Sequence, residues 1–433
     1  MKPSAELFDP ARFANAIARI AERRASSPSF TRLQEGGVSM TTLDRNRDRV
    51  ARLLVADLLA GHVAERPGRM YSITQQGKER RLFEFSPVEM IVQDAVANWL
   101  AEQSSGAFST RLYSYRTGIS YRHALRDFGR YVRHSRRSGA RGLYVLRRDV
   151  RSYFDSIPVR DDAPLWASLE PFVLGSSRVE PTRALLRRAL RPQLVDACGE
   201  PYRLECGIPT GSPVANVVAN LYLRAMDVEL GQVAAAFYAR YGDDIIVAHP
   251  DTATIEALAR SLAGYLSNYE VEGNPAKVED CYLTTAGRPD PAGHVFRGVS
   301  AVEFLGHRVT ALGTVGMSRG KTRALLQALR TGAANAARVN APSIDARIQR
   351  IVHSVNALLS PRSAAAHPYA ILLRATVTDR PYLAWLDHEV ALIVLEAAFG
   401  RRRVTHFRAV PPGRLRTAFR LRSLVAARNG DRP

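Results

Sequence analysis

The spacing of apolar residues divides the chain into two helical ends and a mixed middle part. Apolar positions recur at helical spacing within residues 1–60, for example around Phe13–Ala21, which predicts helices there. From Met70 to Phe85, apolar and polar residues alternate on both sides of Gln76–Gly77, which predicts a β-hairpin. From residue 318 onward the helical pattern returns and covers most of the remaining chain.

The middle part combines short strands with longer helices. Ser212 and Pro213 are typical of a helix N-terminus, and they precede an apolar periodic stretch that reaches Val228. Two apolar runs of strand length are joined by Gly242–Asp244, which predicts a tight hairpin. The remaining predicted elements are a helix over residues 87–100 and strands over residues 143–150, 302–310 and 314–317.

The charge balance indicates a polyanionic partner. Among 433 residues, Lys and Arg number 61 and Asp and Glu 41, a net charge of +20. Such an excess attracts nucleic acid or an anionic membrane surface. No apolar run reaches the roughly 20 residues of a membrane-spanning helix, and residues 1–20 lack the apolar core of a signal peptide. We therefore expect nucleic acid, and no membrane, as the partner.

The cysteines argue against disulfide and zinc scaffolds. Cys198, Cys206 and Cys281 form no Cys-x-x-Cys pair, and the histidines form no metal-ligand pair at helical spacing. We expect a reduced, cytoplasmic protein.

Acidic residues stand beside two apolar strands that are far apart in sequence. Asp149 follows the first strand, and Asp243–Asp244 occupy the tip of the predicted hairpin. Adjacent carboxylates repel each other, and a divalent cation offsets that repulsion. Two such ions, roughly 4 Å apart, catalyse phosphoryl transfer to a hydroxyl group. Asp is also common in turns, and the Asp-Asp pair alone favours that simpler interpretation.

Five segments of the chain, together with two upstream ones, resemble the motifs of prokaryotic reverse transcriptases in their order and spacing. The resemblance covers residues 70–320. The segments are Leu146–Asp155 (motif A), Gly207–Tyr222 (motif B), Tyr241–Asp244 (motif C), Asn274–Lys277 (motif D), Glu303–His307 (the primer-grip motif E), and the finger motifs Lys78–Leu82 and Leu112–Gly118.

The resemblance implies an α+β fold of the right-hand polymerase type, with fingers, a palm built on an antiparallel sheet, and a helical thumb. The implied domains are an N-terminal helical extension (1–69), fingers (70–145), a palm (146–317, with a finger insertion at about 160–205) and a basic helical thumb with C-terminal extension (318–433).

The resemblance also implies the chemistry. Asp149 and Asp243 would bind metal, with Asp244 as a supporting carboxylate. The cofactor would be two Mg²⁺ ions, with Mn²⁺ as an alternative. The substrates would be deoxynucleotides and an RNA template, and the product would be DNA.

Phe154 stands five residues after the first catalytic aspartate, where reverse transcriptases place an aromatic steric gate. A ring against C2′ of the sugar leaves no room for a hydroxyl group, so deoxynucleotides are selected. RNA-dependent RNA polymerases, the alternative, tend to place a hydrogen-bonding Asp at this offset. Here Asp155 comes one residue later, and a core position for Phe154 is the simpler competing interpretation.

Further residues acquire roles from the matching motifs. Lys277 is a candidate proton donor to pyrophosphate, because the chain has only four lysines against 57 arginines and Lys can titrate where Arg cannot. Thr210 replaces the Gln that is common at this place in motif B. The expected nucleotide contacts are Lys78, Arg80, Arg81, Pro209, Thr210 and Gly211, and the expected primer grip is Phe304, Leu305 and Gly306.

Basic segments supply candidate phosphate contacts. Arg130–Arg141 and Arg183–Arg191 interleave arginine with apolar residues, and Arg401, Arg402 and Arg403 form a run in the predicted thumb. Together with Arg116 of the fingers, these arginines would bind the nucleic-acid backbone without reading its sequence.

The biological role is interpreted from the same resemblance. The short extensions on both sides of the polymerase motifs, and the missing His/Cys endonuclease pattern, resemble bacterial defence-associated reverse transcriptases that copy a partner non-coding RNA. A retron or group II intron enzyme, an RNA-dependent RNA polymerase and a non-catalytic RNA-binding scaffold remain alternatives. Protein partners are unknown.

Overall fold

The computed structural model describes residues 6–24, 34–35, 38–75, 78–196, 198–290, 293 and 296–429. The chain forms two compact units. Unit one comprises Met1–Ser120, Leu146–Ala248 and Thr252–Glu279, and unit two comprises Tyr121–Val145, His249–Asp251 and Asp280–Pro433. Within the described ranges, every helix is too short or too polar to cross a lipid bilayer.

Helices form most of both units. In chain order they are α1 (Pro10–Arg24), α2 (Met40–Arg45), α3 (Arg47–Leu59), α4 (Pro87–Gln103), α5 (Tyr121–Arg137), α6 (Tyr153–Ser156), α7 (Pro164–Leu174), α8 (Val179–Leu190), α9 (Pro213–Tyr222), α10 (Arg224–Gln232), α11 (Thr252–Asn268), α12 (Arg319–Ala337), α13 (Ile344–Leu359), α14 (Pro368–Thr376), α15 (Arg380–Phe399), α16 (His406–Ala409), α17 (Pro412–Thr417) and α18 (Leu424–Asn429).

The strands are short. They are β1 (Gln34–Glu35), β2 (Val38–Ser39), β3 (Gly68–Gln75), β4 (Lys78–Glu84), β5 (Leu143–Asp149), β6 (Leu194–Val195), β7 (Pro201–Tyr202), β8 (Phe237–Tyr241), β9 (Asp244–His249), β10 (Glu279–Leu283), β11 (Arg297–Val299), β12 (Ala301–Phe304), β13 (His307–Thr310) and β14 (Val315–Met317).

Four sheets contain these strands, and three of them carry predicted motifs. A five-stranded sheet has the order β11-β10-β5-β9-β8. Its edge hairpin β8–β9 is antiparallel, with Tyr241 opposite Asp244. A three-stranded antiparallel sheet, β12-β13-β14, lies in unit two. The other two sheets have the orders β4-β3-β6-β7 and β1-β2.

Each unit has its own hydrophobic core. In unit one the buried helix α4 packs against α1, α8 and α9, and its N-terminus is defined by the Ser86 cap and by Pro87 at the first position. In unit two α12, α13 and α15 pack together around buried aliphatic residues such as Leu329, Val355 and Val394. The mixture of helices and antiparallel sheet confirms the predicted α+β class.

The structure confirms the hairpin between Met70 and Phe85, whose strands β3 and β4 flank residues 76–77. Two predicted elements were wrong in extent. The helix over residues 212–228 is two helices, because the backbone at Leu223 leaves the helical region (φ −99°, ψ 19°). The strand over residues 302–310 is two strands, because Leu305 and Gly306 have positive φ and form a turn. The N-terminal part also contains the short strands β1 and β2, which the helical pattern did not predict.

A buried ion pair connects α10 with β8 in unit one. Asp227 and Arg240 are both fully buried, and their Oδ2 and Nη2 atoms lie 2.6 Å apart. The Oδ1 atom of Asp227 also accepts hydrogen bonds from Arg240 Nε at 2.8 Å and from the Tyr238 hydroxyl at 2.7 Å. Arg240 Nη1 donates to the carbonyl oxygen of Gly242, so the pair supports the turn that follows β8.

We predict that Asp227→Ala destabilises the protein by about 3–5 kcal/mol, because it leaves the Arg240 charge buried without a partner. Urea denaturation followed by tryptophan fluorescence measures this loss. Glu256→Ala, an exposed change on α11, is the matched control and should cost less than about 0.5 kcal/mol. A loss below about 1 kcal/mol for Asp227→Ala would contradict the prediction.

Candidate active site

Asp149 is the last residue of β5, and its backbone is bonded to two neighbouring segments. The amide of Asn274 donates to the Asp149 carbonyl oxygen at 2.7 Å, and the next amide, of Val150, donates to the carbonyl oxygen of Asp243 at 3.0 Å. The predicted motifs A, C and D therefore meet at the end of this strand.

Asp243 lies in the two-residue turn between β8 and β9. Tyr241 pairs with Asp244 across the hairpin, which leaves Gly242 and Asp243 as the connection. Gly242 has φ of +64°, a conformation that glycine adopts without strain and that tight hairpin turns require. The turn places Asp243 and Asp244 beside the end of β5.

One carboxylate oxygen each from Asp149, Asp243 and Asp244 lies within 4.8 Å of the other two. This limit is somewhat larger than the roughly 4.2 Å that two metal–oxygen bonds of 2.0–2.1 Å span across an octahedral Mg²⁺ ion, so a small inward shift of these oxygens would let them bind a small divalent cation. Asp244 Oδ1 is buried and accepts no hydrogen bond from the described residues, and the nearest cation is the Arg147 guanidinium, 3.6 Å away. Hard oxygen donors of this kind suit Mg²⁺ or Mn²⁺.

The electrostatics of the site agree with a cation requirement. Burial, together with the nearby charges of Asp244 and Asp149, raises the pKa of Asp243 to about 6. Burial also raises the pKa of Asp244, although the Arg147 guanidinium works in the opposite direction. Close carboxylates in a partly dehydrated site resist simultaneous ionisation, and a divalent cation removes that resistance.

Two side chains of the motif D segment hold Asp149. Lys277 Nζ donates to Asp149 Oδ2 at 2.5 Å, and Asn274 Nδ2 donates to Asp149 Oδ1 at 3.1 Å. Partial burial of the Lys277 amine lowers its pKa, but the bond to Asp149 and the charges of all three aspartates outweigh this and raise the pKa overall. Lys277 is therefore a cation at neutral pH.

Arg147 is a site residue that the sequence analysis missed. It is on β5, two residues before Asp149, and its guanidinium lies 3.6 Å from Asp244 and 3.7 Å from Glu279. Its buried Nε has no hydrogen-bond partner among the described residues. The available signal was the charged end of β5, where Arg147 and Arg148 follow four apolar residues and directly precede Asp149, because a half-buried charge is usually paired.

Phe154 follows Asp149 by five residues and lies on the short helix α6. Its ring is half-buried and makes an edge contact with Tyr115, with the ring centroids 6.0 Å apart. Tyr115 also contacts Tyr241, and its φ of +50° is unusual for a bulky residue. From the sequence, Tyr115 was expected only as part of a finger motif, and its contact with the predicted gate was not predicted.

The motif B loop is bonded to the same helix. The amide of Ile208 donates to the Phe154 carbonyl oxygen at 2.9 Å. Pro209 is buried, Thr210 is half-buried, and Gly211 is exposed, with space for a Cβ free of described atoms within 4 Å beyond its chain neighbours. Ser212 then caps α9. The structure thus connects motif B to Phe154 through backbone hydrogen bonds, as neighbouring parts of one site.

The basic side chains predicted on the finger hairpin are Lys78, Arg80 and Arg81, and of these the structure describes Arg81. Arg81 forms an ion pair with Asp155 at 3.0 Å, so its guanidinium is already bound in this structure. Lys78 and Arg80 lie on β4, but their side chains lie outside the described part of the structure.

The remaining predicted contacts have different surroundings. Of the predicted primer-grip residues, Phe304 is fully buried, whereas Leu305 and Gly306 form a half-buried turn. Arg116 donates through Nη1 to the carbonyl oxygens of Ser109 and Leu112.

The three thumb arginines also differ from one another. Arg401 and Arg403 are exposed, whereas Arg402 forms ion pairs with Glu389 and Glu396.

Residues 76–309 match the family described as reverse transcriptase (RNA-dependent DNA polymerase). The match covers more than half of the chain and includes every carboxylate of the site. The fold and the site thus define a nucleotide-polymerising domain. The chain belongs to the reverse transcriptase family, and at the level of the family this confirms the prediction of an RNA-directed DNA polymerase.

Among solved structures, the chain is similar to telomerases of two Candida species. It is 12% identical to Candida albicans telomerase in complex with a fragment of telomeric RNA, with a TM-score of 0.45 over 81% of this chain and 65% of that one. It is 11% identical to apo Candida tropicalis telomerase truncated at its C-terminal domain, with a TM-score of 0.44 over 63% of this chain and 60% of that one. The chain thus spans less than two thirds of these telomerase chains. No curated protein matches the sequence.

We predict that Asp243→Asn stabilises the metal-free protein at pH 7.5. The raised pKa means that, between pH 4 and pH 6, the folded state binds more protons than the unfolded state, so wild-type stability falls as the pH rises through this window. The variant escapes this loss, and we expect a gain of about 1–2 kcal/mol after allowing for solvent screening. The gain should shrink as the pH is lowered towards 4.

The measurement is thermal unfolding in EDTA and in Mg²⁺, at pH 7.5 and at pH 5. Mg²⁺ should stabilise the wild type clearly and the variant much less. Asp57→Asn, an exposed change on α3, is the control and should change neither stability nor metal response. Equal metal stabilisation of the wild type and Asp243→Asn would refute the assigned ligand.

Proposed function

We propose that this chain copies an RNA template into DNA by adding deoxynucleotides to a primer. The observation that carries the proposal is the convergence of Asp149, Asp243 and Asp244 within 4.8 Å in a chain of the reverse transcriptase family. When bound, two divalent ions would activate the attacking 3′-oxygen and stabilise the leaving pyrophosphate. The three aspartates are the residues that would hold them.

Lys277 is proposed to act on the triphosphate side of the site. Its ammonium is bonded to Asp149 and neutralises part of the carboxylate charge. A lysine can donate a proton to pyrophosphate, which an arginine hardly can. The raised pKa keeps this proton on the amine until the triphosphate is in place, where the positive charge also stabilises the developing negative charge.

Sugar selection is proposed to come from Phe154. Its ring is held from the side by Tyr115 and through its backbone by the motif B loop. Asp155, the residue that could accept a bond from a ribose hydroxyl, is instead paired with Arg81. These contacts favour an apolar wall over a polar contact at the sugar, and therefore favour a DNA over an RNA product.

The residues proposed to contact the nucleotide and the nucleic acid are those that occupy the matching motif positions. Pro209–Gly211, Lys78, Arg80 and Arg81 would surround the incoming nucleotide. The fingers (70–145), palm (146–317), thumb (318–433) and N-terminal extension (1–69) would divide the work as in a right-hand polymerase. In the thumb, Arg401 and Arg403 are the better phosphate contacts, because Arg402 is occupied by Glu389 and Glu396.

We further propose that the template is a partner non-coding RNA, that copying it serves defence against phage, and that this takes place in the cytoplasm with Mg²⁺ as the metal. The supports are the finger-motif resemblance, the net charge of +20 and three free cysteines.

Phe154→Ala should admit ribonucleotides. The wild type is expected to prefer dNTPs strongly on a primed RNA template, and the variant should lose most of that preference, since an apolar wall rejects an added hydroxyl group by about 10²-fold. The measurement is the ratio of incorporation efficiencies for dNTP and rNTP.

Asp244→Ala is the inactive control for this assay, and Phe172→Ala, on α7 of the same unit, controls for the loss of an aromatic ring elsewhere. Equal use of rNTPs by the wild type would refute the reverse transcriptase proposal and favour an RNA polymerase. A variant that keeps the wild-type preference would refute only the gate.

The template proposal predicts one enriched RNA species bound to the protein. Sequencing of the nucleic acid that copurifies from a native host, before and after addition of dNTPs, should show this RNA and then DNA complementary to it. Asp243→Asn should retain the RNA but yield no complementary DNA. A random sample of cellular RNA in the wild-type preparation would contradict a dedicated template.

A further inference from the structure

A cavity of about 670 Å³ opens in unit two beside the N-terminal halves of α12 and α15. Its volume is within the range of small-ligand sites, about 300–1,000 Å³. Strands β13 and β14 contribute Arg308 and Met317 to its lining. The carboxylates proposed for catalysis are in the other unit, so they are not part of this cavity.

One wall is a row of side chains along α12. Arg319, Arg323, Leu326 and Arg330 are separated by four, three and four positions, a spacing that places all of them on one helix face. At 1.5 Å per residue the row extends for about 16 Å. Three of these four side chains are arginines, so the wall carries a line of positive charge.

Acids compensate these charges only in part. Within the described ranges, the side chains of Arg319, Arg323 and Arg330 form no ion pair with a carboxylate, and the hydrogen bond that Arg308 donates there goes to the Ser300 hydroxyl, at 3.4 Å. Glu303 lies at one end of the row, where it pairs with Arg308 across the β-ladder and its Oε1 accepts a hydrogen bond from the Arg319 backbone amide at 3.0 Å.

The acid among the lining residues is Asp379. Its side chain is used as the N-cap of α15, where its Oδ1 accepts a hydrogen bond from the Tyr382 amide. The cavity therefore attracts an anion with more than one negative charge.

Two aromatic rings of α15 also line the cavity. Tyr382 and Trp385 are three residues apart on the first turns of α15, with ring centroids 5.8 Å apart. The Tyr382 hydroxyl is bonded to Thr322 Oγ1 at 2.8 Å, which fixes its ring. Trp385 is 45% exposed, whereas Trp99 in the core of unit one is 1% exposed. The cavity thus combines a fixed aromatic surface with a row of unpaired arginines.

We propose that this cavity binds an unpaired nucleotide of a single-stranded nucleic acid, with the base stacked on Trp385 and adjacent phosphates bound by Arg319, Arg323 and Arg330. Single-strand sites combine a basic groove with aromatic stacking platforms in this way. A fully paired duplex offers no free base face, and an acidic protein segment would use the arginines but not the ring. The proposal deepens the proposed function, because it gives unit two a role in holding a strand of the template or product.

The test is the affinity for 12-nucleotide oligo(U) and oligo(dT), measured by fluorescence anisotropy with the full chain, without dNTPs or metal. Trp385→Leu keeps an apolar side chain but cannot stack, and it should weaken binding roughly tenfold or more. Trp385→Phe keeps a ring and should retain most of the affinity. Intrinsic fluorescence of the wild type should be quenched by the oligonucleotide, and Trp385→Leu should lose that component.

The arginines are tested by salt dependence. Arg323→Gln should reduce the slope of log affinity against log salt by about 0.7, the value for one phosphate on a single strand. Arg338→Gln, an exposed change at the end of the same helix, is the matched control and should leave the slope unchanged. Affinities are compared for oligo(U), oligo(dT) and free UMP. The comparison shows whether the cavity prefers RNA, DNA or a free nucleotide.

Equal affinities for Trp385→Leu, Trp385→Phe and the wild type would overturn the proposal, as would equal Trp385-dependent quenching by a 12-base-pair duplex or by polyglutamate. Primer extension is measured separately. Trp385-dependent binding without dNTP incorporation would refute the proposed function but support the cavity as a nucleotide-binding site. Incorporation of dNTPs without Trp385-dependent binding would support the proposed function but refute the nucleotide-binding site.

Discussion

The repulsion among three carboxylates is the constraint on which the rest of unit one depends. Asp149, Asp243 and Asp244 are held within 4.8 Å, although burial and neighbouring carboxylate charge raise the pKa values of Asp243 and Asp244. Backbone bonds to the ends of β5 and of the β8–β9 hairpin hold them there, and Lys277 and Arg147 each neutralise part of the charge. The fold therefore holds the carboxylates in an arrangement that is electrostatically unfavourable until a divalent cation binds. A hydrophobic core differs in this respect, because its contacts stabilise the fold without a ligand.

The buried pair of Asp227 and Arg240 explains how the hairpin tolerates this repulsion. Arg240 is anchored at one end by Asp227 on α10 and donates to the carbonyl oxygen of Gly242 in the turn itself. Its backbone also pairs with the segment that precedes Tyr115. These bonds hold the turn, and with it Asp243 and Asp244, in place. The packing of α9, α10 and the sheet therefore offsets the electrostatic repulsion between the two aspartates.

The sequence predicted the elements that depend on local rules. The apolar runs around Gly242–Asp244 required a hairpin, and Ser212–Pro213 required a helix start, because turn and cap chemistry act over a few residues. The contact of Arg147 with Asp244 was not predicted, since it depends on a hairpin that is distant in sequence and meets β5 only in the folded chain. The break at Leu223 was not predicted either. The order of the motifs was enough to predict the aspartates of the site. The contact between Tyr115 and Phe154, which are 39 positions apart in the sequence, became visible only in the structure.

The segment after Asp149 shows how backbone direction distributes three chemical roles. Ser152 has φ of +47° and begins the short helix α6. The three side chains that follow then point to different neighbours: the Tyr153 hydroxyl is bonded to the carbonyl oxygen of Ala219 on α9, Phe154 contacts Tyr115, and Asp155 pairs with Arg81. A shift of one residue would exchange the apolar ring for a carboxylate beside Tyr115. Discrimination between the two sugars, as proposed here, therefore rests on the turn at Ser152 as much as on the identity of Phe154.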